Sequence, residues 1–130
     1  MFEFQLDPTS GVATYLQLVH QVRQALRLGV LRPGDQLPTA REVVAKLAIN
    51  PNTVLKAYRE LERDRLVGAR PGLGTFVLRA PDGPDPGTSA RFARELASWM
   101  AAARAAGLGG EDVEAIYRTT LRDTYAEGVA

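Results

Sequence analysis

The sequence predicts a mainly α-helical chain with one small β-hairpin: three helices and the hairpin first, then two more helices. Three observations carry this. Two strong helix-start signals, Thr39-Ala40-Arg41-Glu42 and Asn50-Pro51, begin only eleven residues apart. Two short apolar runs flank the turn Pro71-Gly72-Leu73-Gly74. The stretch Ala80-Pro81-Asp82-Gly83-Pro84-Asp85-Pro86-Gly87 then breaks the pattern with prolines and glycines that continue neither a helix nor a central strand. The expected organisation is a winged helix-turn-helix over residues 1–79, a linker over 80–88 and a two-helix hairpin over 89–130.

Taken in order, Phe2, Phe4 and Leu6 alternate with Glu3, Gln5 and Asp7, as a short strand or an extended arm would. A helix follows from about Ala13 to Leu28. Tyr15, Leu18, Val19, Val22 and Leu26 form its apolar stripe, and Gly29 is placed as its C-terminal cap. Pro33-Gly34 is a turn. The second helix opens on a capping box, in which the Thr39 hydroxyl accepts from the Glu42 N–H and the Glu42 carboxylate reaches back. Ala40, Val43, Val44 and Leu47 are its buried face. Asn50 as N-cap and Pro51 at the first helical position start the third helix, which runs to about Asp64. There Val54, Ala57, Tyr58 and Leu61 face inward, leaving Asn52, Lys56, Arg59 and Arg63 outward.

Leu66–Arg70 and Thr75–Leu78 then read as two strands joined by a glycine-containing turn. Beyond the linker, Thr88 or Ser89 caps a helix to about Ala106 with Phe92, Leu96, Trp99 and Ala103 on one side. After a break at Gly107–Gly110, a helix from Glu111 to about Ala126 carries Val113, Ile116, Tyr117, Leu121 and Thr124 on one side. Two such helices form an antiparallel hairpin. That hairpin buries only part of its apolar surface on itself and needs a partner.

Composition narrows the chemistry. At 45% hydrophobic residues a real core is expected. The absence of cysteine excludes a disulfide framework, a thiolate zinc site and a Cys nucleophile. His20 is the single histidine and has no ligand cluster around it in sequence, so no metal or cofactor is expected. No basic segment followed by an apolar run comes after Met1 and no apolar run is long enough to span a bilayer, so a soluble, cytoplasmic chain without membrane contact is expected. The net charge of +1 is divided unevenly: eleven cationic against seven acidic side chains in residues 1–80, five against eight in 81–130. Any polyanion-binding surface is therefore expected in the first part.

Two helices joined by a short turn, the second with polar and basic residues outward, fit the major groove of duplex DNA. Asn50, Asn52 and Thr53 sit at the helix end that reaches base edges, with Lys56 and Arg59 one and two turns further. Thr39 and Arg41 lie at the start of the preceding helix. Arg70, Gly72 and Leu73 form a wing suited to backbone or minor groove. Taken singly, each feature has a plainer reading: a cap, a solvated face paired with Glu60 and Glu62, an ordinary hairpin. The combination favours a DNA-binding unit over a winged-helix protein-interaction module. A small enzyme fits least, because no nucleophile–base pair or cofactor motif is found.

These residues resemble the GntR family of bacterial transcription regulators from Phe4 to about Leu78. The likeness is carried by Tyr15-Leu16-Gln17, Gln21-Val22, the run Gly29-Val30-Leu31-Arg32-Pro33-Gly34-Asp35-Gln36-Leu37-Pro38-Thr39, Arg41-Glu42-Val43, Asn52-Thr53-Val54, Ala57-Tyr58-Arg59-Glu60-Leu61-Glu62 and Gly72-Leu73-Gly74-Thr75-Phe76-Val77. Asn50-Pro51-Asn52-Thr53-Val54 with Lys56-Ala57-Tyr58, and the short tail, resemble the YtrA-like subfamily. The resemblance implies a homodimeric repressor of a double-stranded operator with two-fold symmetry, with Arg41, the start of the third helix and Gly72 on DNA. It implies pairing through the tail, for which Phe92, Leu96, Trp99, Met100, Val113, Ile116, Tyr117 and Leu121 are the expected contacts. A small-molecule effector of unspecified identity is compatible with the apolar surface at Trp99 and Tyr117. Departures at four positions stand out. Pro51 and Leu55 occupy positions where many relatives carry base-reading arginine. Ala13 stands where proline is common. Ala48 stands where glycine is common, at a cost of about 1 kcal/mol if that residue is left-handed.

Overall fold

A computed structural model describes residues 2–126. The last four residues of the expected tail, 127–130, lie outside the described residues. The chain forms two compact units, Met1–Ala90 and Arg91–Ala130.

In the first unit the helices are α1 (Thr14–Leu28), α2 (Ala40–Leu47) and α3 (Pro51–Arg63), followed by strands β1 (Val67–Arg70) and β2 (Gly74–Val77). α3 is the hub. It packs on both α1 and α2 and hands the chain to β1. Its inner side chains Val54, Ala57, Tyr58 and Leu61 are all buried, as the 3.6-residue period predicts. They meet Leu18, Val22 and Leu26 of α1, Val43 of α2 and Val67 and Val77 of the hairpin in one core. Tyr15, Val44, Leu47 and Ala40 edge that core as half-buried residues.

Left-handed residues follow all three helices of this unit. Gly29 ends α1 in the left-handed region at φ 76°, where a β-carbon would be strained. Ala48 ends α2 in the same region at φ 54°, without glycine's freedom. Arg65 does so just past α3 at φ 58°, a turn that no local signal in the sequence marks.

β1 and β2 pair antiparallel, Val67 opposite Val77 and Arg70 opposite Gly74. The linking turn places Pro71 and Gly72 at its centre, with Gly72 at φ 75° and the Leu73 N–H donating to the Arg70 carbonyl at 2.9 Å. Positive φ at the third turn position after proline is the type II arrangement. The segment before α2 adds a third, minimal strand: Gln36 bridges to Phe76, and the Leu37 N–H donates to the Thr75 carbonyl at 2.9 Å.

The N-terminal stretch is an arm, not a strand, over residues 2–7. Two glutamines of α1 hold its main chain. Gln17 Oε1 accepts from the Asp7 N–H at 2.9 Å while its Nε2 donates to the Asp7 carbonyl at 3.1 Å. Gln21 does the same for Gln5. Phe4 is thereby buried, its ring 6.5 Å from that of Tyr58.

α4 spans Pro86–Ala105, so the last residues of the expected 80–88 linker are already helical. The cap is Asp85, not Thr88 or Ser89: its carboxylate accepts from the Gly87 N–H at 3.0 Å. Pro86 takes the first helical position, where a missing N–H costs nothing and φ is preset. α5 spans Gly110–Tyr125, its start held by the Asp112 carboxylate on the Gly109 N–H at 2.9 Å. The two helices close on each other around the elbow, where Ala103 is buried and Met100, Leu108 and Val113 are half-buried. They do not pack along their lengths. Phe92, Leu96 and Trp99 on α4 and Ile116, Tyr117 and Leu121 on α5 are exposed. Among the described residues no helix is long and apolar enough to cross a membrane.

Candidate DNA interface

With its inner face locked in the core, α3 turns Pro51, Asn52, Leu55, Lys56 and Arg59 outward, and all five are exposed. Asn50 is exposed too, but half of its amide is committed: Oδ1 accepts from the Asn52 N–H at 2.8 Å as the helix cap. Its Nδ2 remains a donor. Thr53 is half-buried and less available than its neighbours. Lys56 lies back on α1, its Nζ 4.0 Å from the centre of the Tyr15 ring. Arg59 Nε donates to the Leu55 carbonyl at 3.3 Å. Arg63, which the sequence puts on the same side, is paired with Glu60 at 2.9 Å.

On α2 the Thr39 hydroxyl accepts from the Glu42 N–H at 3.1 Å, and Glu42 Oε1 returns the bond to the Thr39 N–H at 3.1 Å. The capping box therefore spends the Thr39 oxygen on structure. Arg41, one position into α2, is exposed and forms no ion pair among the described residues. The segment before α2 is held by a contact that sequence reasoning missed. The Tyr58 hydroxyl donates to the Pro38 carbonyl, tying the approach to α2 directly to α3. Burial pushes the Tyr58 phenol far above its usual pKa, with the Glu42 charge adding to the effect, so the hydroxyl stays a donor.

The wing is anchored by a second missed residue. Gln36 Nε2 donates to the Leu73 carbonyl at 2.8 Å, across 37 residues of chain. Gly74 makes room for it: a β-carbon there would come 2.5 Å from Gln36 Nε2. Gly72 at the tip has open space around it, and Leu73 is 65% exposed. The Arg70 guanidinium stacks 4.4 Å from the Phe76 ring, which supports the cation along the hairpin. The structure therefore groups the α3 residues on one face and gathers Arg70, Gly72 and Leu73 at the hairpin end.

A cleft of about 540 Å³ opens between the arm, residues 30–38 and α2. Its acids are occupied. Asp35 accepts from the Arg32 N–H at 2.9 Å, Glu42 serves the cap, and Glu3 is paired with Lys46, whose hydrogen bond lowers the Glu3 pKa. Among the described residues no convergent set of free polar groups lines it.

Residues 14–77 match the family described as bacterial regulatory proteins, gntR family. The repressor YtrA of Bacillus subtilis is 41% identical over 73 residues, a match covering 56% of this chain and 56% of YtrA. The HTH-type transcriptional regulator Rv1152 of Mycobacterium tuberculosis is 39% identical over 108 residues, 83% of this chain and 85% of that protein. Among solved structures, a transcriptional antiterminator from Listeria monocytogenes EGD-e superposes with a TM-score of 0.59 at 28% identity, covering 94% of this chain and 92% of that one.

Proposed function

The chain belongs to the GntR family of bacterial regulatory proteins, and from that premise we propose that it is a sequence-specific, DNA-binding transcriptional regulator that acts in the cytoplasm as a repressor. Two copies bind one double-stranded operator of two-fold symmetry, each placing α3 in a major groove. The observation that supports this most is the division of α3: one face wholly buried, the other carrying Asn52, Lys56 and Arg59 into solvent. A helix so held is presented without a reorganisation cost when it meets a groove.

Arg41, the Asn50 Nδ2 donor and the Asn52 amide reach base edges. Thr39 and Thr53 approach the backbone. Lys56 and Arg59 swing from their intramolecular partners to phosphate, and Arg70, Gly72 and Leu73 follow the adjoining strand. Pairing runs through the tail. Leu96, Trp99 and Leu121 are each more than 40% exposed in a single copy, and a second tail would remove them from water. Phe92, Met100, Val113, Ile116 and Tyr117 complete that surface. A small-molecule effector at Trp99 and Tyr117 would relieve repression by changing how the two copies present their α3 helices.

Selection of bound duplexes from a random pool by the purified chain tests the reading. It predicts an enriched inverted repeat with half-sites about 10 bp apart or a multiple of that. Affinity should fall steeply between low and moderate salt as released counterions lose their advantage. A pool that stays random, with no shift of any duplex at low salt, would overturn it.

A further inference from the structure

We propose that Leu55 is a specificity-determining residue that reads thymine through its 5-methyl group in the major groove. The inference rests on the DNA-binding reading of α3 and adds a base to it. Leu55 sits at the middle of the outward face, one turn beyond Asn52, and is 45% exposed. It is not among the apolar residues packed against the core. The inner face is already filled by Val54, Ala57, Tyr58 and Leu61, so Leu55 contributes nothing there.

Its neighbours sharpen the point. Lys56 is drawn back onto Tyr15, and Arg59 folds its Nε onto the Leu55 carbonyl. The isobutyl group therefore stands exposed at the centre of a polar helix face, beside Asn52, Lys56 and Arg59. In the major groove, a T·A pair offers a methyl group that apolar side chains contact, whereas cytosine has only hydrogen on that carbon with its N4 donor beside it, and guanine presents O6 and N7. A leucine set against guanine O6 and N7, or cytosine N4, strips water from those groups and returns no hydrogen bond. The same side chain thus favours thymine and penalises its competitors, which is how a group without hydrogen bonds discriminates.

The test uses duplexes selected from the random pool by the full chain, with each thymine replaced in turn by deoxyuridine. That change removes the methyl and leaves every hydrogen-bonding group in place. Wild type is expected to lose about fourfold in affinity at one or more positions per half-site, the scale of one buried methyl-sized group. Leu55→Ala should bind the thymine duplex more weakly and be indifferent to uracil at those same positions. The exposed site and alanine's helix preference should keep the variant folded, checked by its melting temperature. If uracil has no effect on wild type, or the same effect on both proteins, the assignment to Leu55 falls while the DNA-binding reading stands. If Leu55→Ala changes oligomeric state and leaves the base preference untouched, the face belongs to a second copy and the proposal is overturned. Absence of any selected site condemns the underlying reading instead.

Discussion

Replacing Ala48 with glycine is expected to stabilise the helix-turn-helix. Ala48 caps α2 at φ 54° and ψ 44°, donating its N–H to the Val44 carbonyl at 2.9 Å. A left-handed L-residue costs about 1–2 kcal/mol, because its β-carbon crowds the following carbonyl. Glycine escapes that cost but gives back about 0.5–1 kcal/mol through the greater freedom of the unfolded chain. The Ala48 methyl is exposed, so no packing is lost. The net gain should be about 0.5–1 kcal/mol. In urea, with a slope of about 1 kcal/mol per molar, the midpoint rises by about 0.5–1 M. On heating, the melting temperature rises by about 2–6 °C. Protein concentration must be held fixed in each series, since association shifts apparent stability. Ala45→Gly is the matched control: equally exposed, but inside α2, where glycine costs about 0.8–1 kcal/mol. The two substitutions should move the midpoint in opposite directions. If Ala48→Gly loses stability as Ala45→Gly does, the left-handed cap carries no strain.

Tyr58→Phe should cost about 0.5–1.5 kcal/mol at neutral pH by removing the bond to the Pro38 carbonyl. Its pH profile is more telling. An unfolded tyrosine ionises near its ordinary value of 10, while folded Tyr58 is held above it. The stability this confers is complete below pH 10 and drains away as pH rises past it. Wild type should lose urea resistance above pH 10 more steeply than Tyr58→Phe, and parallel curves would refute the buried donor. Arg41→Ala should weaken binding to a selected site by about 1–3 kcal/mol while sparing random duplex, as read by competition at fixed salt. Equal losses on both would assign Arg41 to phosphate. Leu96→Glu with Trp99→Glu should yield folded monomers by sedimentation and circular dichroism; a variant that sediments as wild type does places the interface elsewhere.

The candidate site was legible where its cause is local. Both helix starts, the inward face of α3 and the Pro71-Gly72 turn rest on neighbours within about four residues, which sequence patterns display directly. Leu55 was legible only as a missing arginine. That Lys56 beside it lies back on α1 depends on Tyr15, 41 residues away, being within reach. The α4 start was read too late because Thr88 and Ser89 resemble caps as strongly as Asp85 does. Proline at the following position decides between them, and Asp85-Pro86 satisfies both requirements at once.

The sequence by itself determined the order of elements, the faces the first three helices turn inward and the family to which they belong, because apolar period and capping chemistry act over a single helical turn. Tertiary structure alone decided which side chains hold the reading unit in place: Gln36 on the wing, Gln17 and Gln21 on the arm, Tyr58 beneath α2, Tyr15 under Lys56. These partners stand 10 to 41 residues apart in sequence. Their choice depends on which surfaces the packed core brings within hydrogen-bond or van der Waals reach, and no short window of residues carries that information.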